Sequence, residues 1–158
     1  MSPRQRRTGW AFVAVQIGLL VALLLVPAAD DWPTPPWVQA LASVLTLGGM
    51  IVVVVSAFRL GRALTATPLP NGAARLHTDG LHRWVRHPMY SGLLVLVVGV
   101  VLRSGNLVAL VIGAITAVFF HRKAVWEEQR LHERFPEYAA YAAATPRFVP
   151  RARGRAAR

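Results

Sequence analysis

The chain has no cysteine, one lysine and seven acidic residues among 158. Without cysteine there is no disulfide framework, no thiol nucleophile and no metal site built on thiolates. The acids are Asp30, Asp31, Asp79, Glu127, Glu128, Glu133 and Glu137, and none interrupts an apolar run. That excludes the buried carboxylates from which transporters build an ion path. Charged residues of both signs make up only 16%. Any chemistry must come from Arg, His, Glu, Asp, Tyr, the single Lys123, or a cofactor.

What fills the chain instead is apolar: 54% of residues are hydrophobic and the mean hydropathy is +0.42, above ordinary soluble usage. The net charge is +11. Much of that basic charge sits at the termini and in one connection beside apolar runs, which points to anionic membrane lipids, not nucleic acid, as the partner surface.

The apolar runs predict an all-α, polytopic membrane bundle of four spans, forming one membrane domain over 1–158. The first, 10–27, follows Arg4, Arg6 and Arg7 and stops at Pro27. It reads as a retained span, because its core is longer than a signal peptide's and no small-residue cleavage site follows. A short acidic loop with Trp32 and Trp37 as interfacial aromatics leads to the second, 37–59, closed by Arg59 and Arg62. Residues 60–87 are a polar, Arg-rich cytoplasmic connection with turn signals at Pro68, Pro70, Asn71-Gly72 and Asp79-Gly80. Spans at 88–103 and 106–126 form a hairpin, followed by a cytoplasmic interfacial helix at 127–150 and a basic tail at 151–158.

The hairpin follows from charge. Were 88–126 one helix, the tail with Arg147, Arg151, Arg153, Arg155 and Arg158 would lie on the non-cytoplasmic side, against the positive-inside bias. Folding at Arg103-Ser104-Gly105-Asn106 keeps both termini cytoplasmic. It also brings Arg86-His87-Pro88-Met89-Tyr90-Ser91-Gly92 and Glu127-Glu128 to one face of the membrane. A soluble, charged cofactor could be held between these clusters while a lipophilic partner arrives from the bilayer, so the pattern suggests interfacial group transfer.

These blocks resemble the membrane methyltransferases of isoprenylcysteine carboxyl methyltransferase type, which are related to phospholipid N-methyltransferases. The resemblance covers 76–150. It is carried by Leu76-His77-Thr78-Asp79-Gly80, the Arg86 to Gly92 block, Glu127-Glu128-Gln129-Arg130-Leu131, Phe135-Pro136-Glu137-Tyr138-Ala139-Ala140-Tyr141 and Pro146-Arg147-Phe148-Val149-Pro150. It implies S-adenosylmethionine as cofactor, bound on the cytosolic side, with a lipophilic acceptor entering from the membrane. It also implies that Leu76, His77 and His82 form the cofactor wall, that Glu127 faces the pocket, and that Lys123 lies near the acceptor. At His82 the sequence departs from the family, where tyrosine is common.

The residue types suit that cofactor. Its carboxylate fits Arg86 or His87 and the backbone N–H groups of Met89 and Tyr90, after Pro88 at a helix start, where the dipole favours anions. Glu127 or Glu128 fits its ammonium or ribose hydroxyls, and Tyr90 its adenine or sulfonium. Because helix neighbours point about 100° apart, only one glutamate can face the ligand squarely; Glu128 is left to pair with a base such as His132 or Arg86. Among candidate catalytic residues are Arg86, Lys123 and Glu127. A carboxylate acceptor would need orientation only, whereas an amine would need a base. No histidine pair has the spacing and carboxylate context of a zinc site. The sequence-level alternatives are an NADPH-dependent membrane reductase of the sterol reductase type and a non-catalytic membrane scaffold. The composition fits a bacterial inner membrane.

Overall fold

A proline at the first position of a helix loses nothing, because its missing N–H would have no intrahelical partner there. The helices α1 (Pro3–Leu25), α2 (Pro36–Leu60) and α3 (Pro88–Ser104) all begin this way. A 3-10 turn, Gly80–Arg83, stands before α3, and α4 (Leu107–Arg134) and α5 (Tyr138–Ala144) follow it. The computed structural model describes residues 3–60 and 76–151. The turn signals at Pro68, Pro70 and Asn71-Gly72, and the tail beyond Arg151, lie outside the described residues.

Among the described residues the fold is all helical. Helices α1, α2 and α4 are long and apolar enough to cross a membrane, and α3 is apolar but has only 17 residues, about 26 Å at helical rise. The chain is an integral membrane helical protein. Large apolar side chains such as Leu24, Leu47, Phe58 and Val118 point outward, and Leu23, Val97, Val101 and Ala109 form a small buried apolar cluster.

Two expected boundaries move. The first span, expected at 10–27, lies in a helix that begins at Pro3, within the basic N-terminal stretch, and ends at Leu25. The last span is expected at 106–126 with a separate helix over 127–150, yet α4 runs unbroken to Arg134 and the separate helix is only α5. Glu127 to Arg134 are good helix formers with no glycine or proline among them. The helix ends where Pro136 cannot continue it. The glutamate pair therefore lies on the rigid last third of α4.

In lipid, helices associate by close packing and hydrogen bonds, not by transfer out of water. The α2–α3 seam uses small residues at seven-residue spacing: Ala42, Gly49 and Ser56 on α2, Gly92 and Gly99 on α3, all buried. The two helices run antiparallel. A Cβ on Gly49 would lie 2.5 Å from the carbonyl oxygen of Gly92, and one on Gly92 2.8 Å from that of Gly49. Only hydrogen fits between the backbones there.

At the far end of the hairpin, Gly105 takes the left-handed conformation (φ 58°) that ends α3. Asn106 caps α4, its side-chain oxygen accepting from Val108 N at 2.7 Å. The α1–α2 loop locks this turn: Ala29 N donates to Ser104 O (2.8 Å), Asn106 Nδ2 to Pro27 O (3.0 Å) and Leu107 N to Asp31 Oδ2 (2.7 Å). With that end pinned, the opposite end carries the polar side chains.

Candidate active site

The opposite end is where α2 finishes, α3 begins and α4 emerges from its apolar stretch. Tyr90 lies one turn into α3, so its ring stacks on His87 (5.3 Å, 5°) and its side chain reaches α4. Tyr90 Oη donates to Glu127 Oε2 at 3.0 Å, and His87 Nε2 donates to Glu128 Oε1 at 3.0 Å. His87 Nδ1 lies 3.7 Å from Glu127 Oε2. Blocks about forty residues apart in sequence thus meet through four side chains. Both ring nitrogens of His87 face carboxylates.

The two glutamates have different surroundings. Glu128 is buried and bound on three sides: bidentate from Arg147 (Nε to Oε1 2.9 Å, Nη2 to Oε2 2.7 Å), by His87, and by Arg86 Nε at 3.6 Å. Glu127 is more open, its side chain 26% exposed. The expected pairing of Glu128 with Arg86 is present. His132 instead stands edge-on to Tyr138 at 4.7 Å.

Arg147 arrives from beyond α5, and sequence reading gave it no role at the site. Its segment is fastened along the start of α3: Arg86 N donates to Pro146 O (2.9 Å), His87 N to Arg147 O (3.1 Å) and Ser91 Oγ to Phe148 O (2.8 Å). The two backbone bonds use amides just before α3 that the helix itself leaves without an acceptor, and the Ser91 hydroxyl also contacts the His87 carbonyl at 3.0 Å. The Glu128 hydrogen bonds hold the Arg147 guanidinium above its ordinary pKa. A guanidinium after a helix stop, 19 residues from its carboxylate, leaves no spacing signal by which to find it.

A second feature adjoins this cluster. Arg59, Leu76, His77, Thr78, Asp79 and His82 line a cleft of about 410 Å³. His77 and His82 approach to 5.9 Å between ring centroids. Burial, then the neighbouring His77 and His87, push the His82 imidazole down to about 4 against the opposing pull of Asp79, so it is neutral near pH 7. The His82 carbonyl accepts from Tyr141 Oη at 2.7 Å, and burial pushes that phenol up to about 12. Buried Tyr138 packs edge-on to Tyr141 at 5.8 Å, so α5 roofs this end of the bundle.

Of the residues singled out in the sequence, Arg86, His87 and Tyr90 meet Glu127 and Glu128 of α4, Pro88 and Met89 form the first turn of α3, and Leu76, His77 and His82 line the cleft. Lys123 stands one turn before Glu127, its Nζ 5.1 Å from the centre of the Tyr90 ring. Among the described residues no three of His, Cys, Asp or Glu are grouped to hold a metal ion. The donor set does suit a zwitterionic nucleoside cofactor: Arg59 for a carboxylate, Asp79 or Glu127 for an ammonium or diol, and imidazole faces with Leu76 for a base.

The family described as phospholipid methyltransferase matches residues 37–138, from the start of α2 to the start of α5. A cobalt-zinc-cadmium resistance protein, CzcN, of Cupriavidus metallidurans is 33% identical over 73% of this chain and 52% of its own length. A nickel-cobalt-cadmium resistance protein, NccN, of Alcaligenes xylosoxydans xylosoxydans is 29% identical over 84% of this chain and 60% of its own. The chain spans just over half the length of these curated relatives.

Proposed function

The chain belongs to the phospholipid methyltransferase family, and on that premise we propose that it transfers a methyl group from S-adenosylmethionine to a lipophilic acceptor at the cytosolic face of a bacterial inner membrane. Four spans with both termini cytoplasmic complete the reading. The observation that carries it is the meeting of His87 and Tyr90 with Glu128 and Glu127 beside a polar cleft. Bound there, the cofactor supplies a methyl group on a sulfonium, an electrophile that needs no metal. The protein's part is to hold it and align the acceptor, which accounts for most of the acceleration in a displacement of this kind.

Each residue then has a task. Arg59, His77, Asp79 and His82 bind the polar parts of the cofactor. Glu127 faces it, oriented by the Tyr90 hydroxyl, while Glu128 is committed to Arg147, His87 and Arg86 and keeps the α3 entrance in place. Lys123 orients an acceptor that carries negative charge. An isoprenylcysteine-like carboxylate needs no base; a phospholipid amine would draw on Glu127.

The relatives' names concern cobalt, zinc, cadmium and nickel resistance. For this chain a place in such resistance fits methylation of a membrane component better than direct ligation, given the donor set above.

Membranes from cells producing the protein, incubated with methyl-labelled S-adenosylmethionine, should pass label into the lipid-extractable fraction. Membranes carrying Glu127→Gln should pass far less. Equal labelling in the two would overturn the proposal.

A further inference from the structure

Lys123 is the one lysine of the chain, and it is 3% exposed. A buried ammonium at the edge of a membrane is costly unless an anion or a set of acceptors meets it. Among the described residues no carboxylate lies within ion-pair distance of it: Glu128 is taken by Arg147, His87 and Arg86, and Glu127 by Tyr90 and His87. Its nearest contacts are neutral, and the Glu127 carboxylate one turn along α4 acts on it only at longer range. Nζ stands over the Tyr90 face and donates a hydrogen bond to Gln16 Oε1.

Gln16 belongs to α1, outside the 37–138 that match the family, and is the one polar side chain between Trp10 and Val26. It lies about 9 Å along the helix from Trp10. One turn earlier, Phe12 wedges between Phe119 (5.9 Å) and Trp126 (5.3 Å) of α4, which sets the register that brings Gln16 onto Lys123. A neutral amide fixes the ammonium in place without cancelling its charge. A glutamate at the same position would cancel it.

We infer that Gln16 is a positioning and specificity-determining residue: it holds the Lys123 ammonium through a neutral amide, with no carboxylate paired directly to it among the described residues, so the site selects a lipophilic acceptor with an anionic head, a carboxylate or a phosphate. This rests on the methyltransferase reading for the word acceptor, but the binding preference can be measured without turnover. Helix α1 is thereby part of the site and not only an anchor.

The test uses the full chain in phosphatidylcholine nanodiscs. Binding of oleate, monooleyl phosphate and neutral oleamide is compared for the wild type, Gln16→Leu, Gln16→Glu and Lys123→Met, with S-adenosylhomocysteine affinity measured on each. The wild type should bind at least one of the two anions about tenfold more tightly than oleamide, the scale of one charge-assisted hydrogen bond, and the stronger anion identifies the head group. Gln16→Glu and Lys123→Met should erase the preference, and Gln16→Leu should reduce it several-fold, with oleamide and S-adenosylhomocysteine affinities unchanged in the two Gln16 variants. A merely structural Gln16 would change all ligands together or none. Equal wild-type affinity for anions and oleamide, or a preference that survives Gln16→Glu, would overturn the inference. Failure of S-adenosylhomocysteine to bind the wild type would instead overturn the methyltransferase reading and leave the anion preference standing or falling on its own numbers.

Discussion

Arg147 grips Glu128 through two parallel hydrogen bonds of 2.9 and 2.7 Å, and so ties the segment after α5 to the last third of α4. Because the same segment accepts hydrogen bonds from the Arg86 and His87 amides, one guanidinium links the α3 entrance, α4 and the C-terminal segment. Arg147→Ala should destabilise the fold by about 2 kcal/mol, the scale of hydrogen bonds to a charged group, and weaken S-adenosylhomocysteine binding. Arg147→Lys should recover only part, since a point charge cannot reproduce the fork. Thermal melting and calorimetry on the two variants check this.

The two glutamates should separate cleanly. Glu128→Gln leaves Arg147, Arg86 and His87 around a neutral amide and should lower the melting temperature with a cofactor effect secondary to it. Glu127→Gln leaves that network intact and should cost roughly tenfold or more in cofactor affinity at nearly unchanged melting temperature. The reverse pattern would exchange their roles.

Acid should weaken the protein through His82. Its native pKa, about 4, lies below the ordinary 6.5, so below pH 6.5 the unfolded chain binds the proton that the folded chain refuses. The neutral imidazole's contribution is complete above pH 6.5 and is lost as the pH falls toward 4, by about 3 kcal/mol at most. Denaturation of the wild type between pH 7 and 4.5 should show a steeper loss than that of His82→Gln. Parallel curves would contradict the assignment.

Neighbouring glycines offer a test of the α2–α3 seam. Gly49→Ala forces a Cβ to 2.5 Å from a backbone carbonyl and should destabilise by about 1–3 kcal/mol. Gly48→Ala meets nothing within 4 Å and should be neutral or slightly stabilising through helix propensity. Thermal melts in one detergent compare them directly.

How much of this could be read from residues alone follows from what each feature depends on. Apolar run length and proline position are local properties, so α2 and α3 begin and end close to their apolar runs, and the fold at Gly105-Asn106 is legible from the polar break in the apolar stretch and the charge of the tail. The end of α4 was misread because a change of polarity after Trp126 resembles a change of element, while helix continuity is decided by propensity up to Pro136. Arg86, His87 and the glutamates were visible as clusters. Which glutamate is committed internally depended on Arg147, whose approach is set by the path of the chain around α5 and not by any periodicity. Gln16 could be seen only as an exception within an apolar run; its partner is 107 residues away.

The most direct measurement is a calorimetric titration of the purified protein in detergent with S-adenosylhomocysteine, beside NADPH and the Glu127→Gln variant. The methyltransferase account predicts saturable binding of S-adenosylhomocysteine, weakened at least tenfold by the variant, with no response to NADPH. Silence toward S-adenosylhomocysteine in a folded sample, or binding of NADPH in its place, would contradict it.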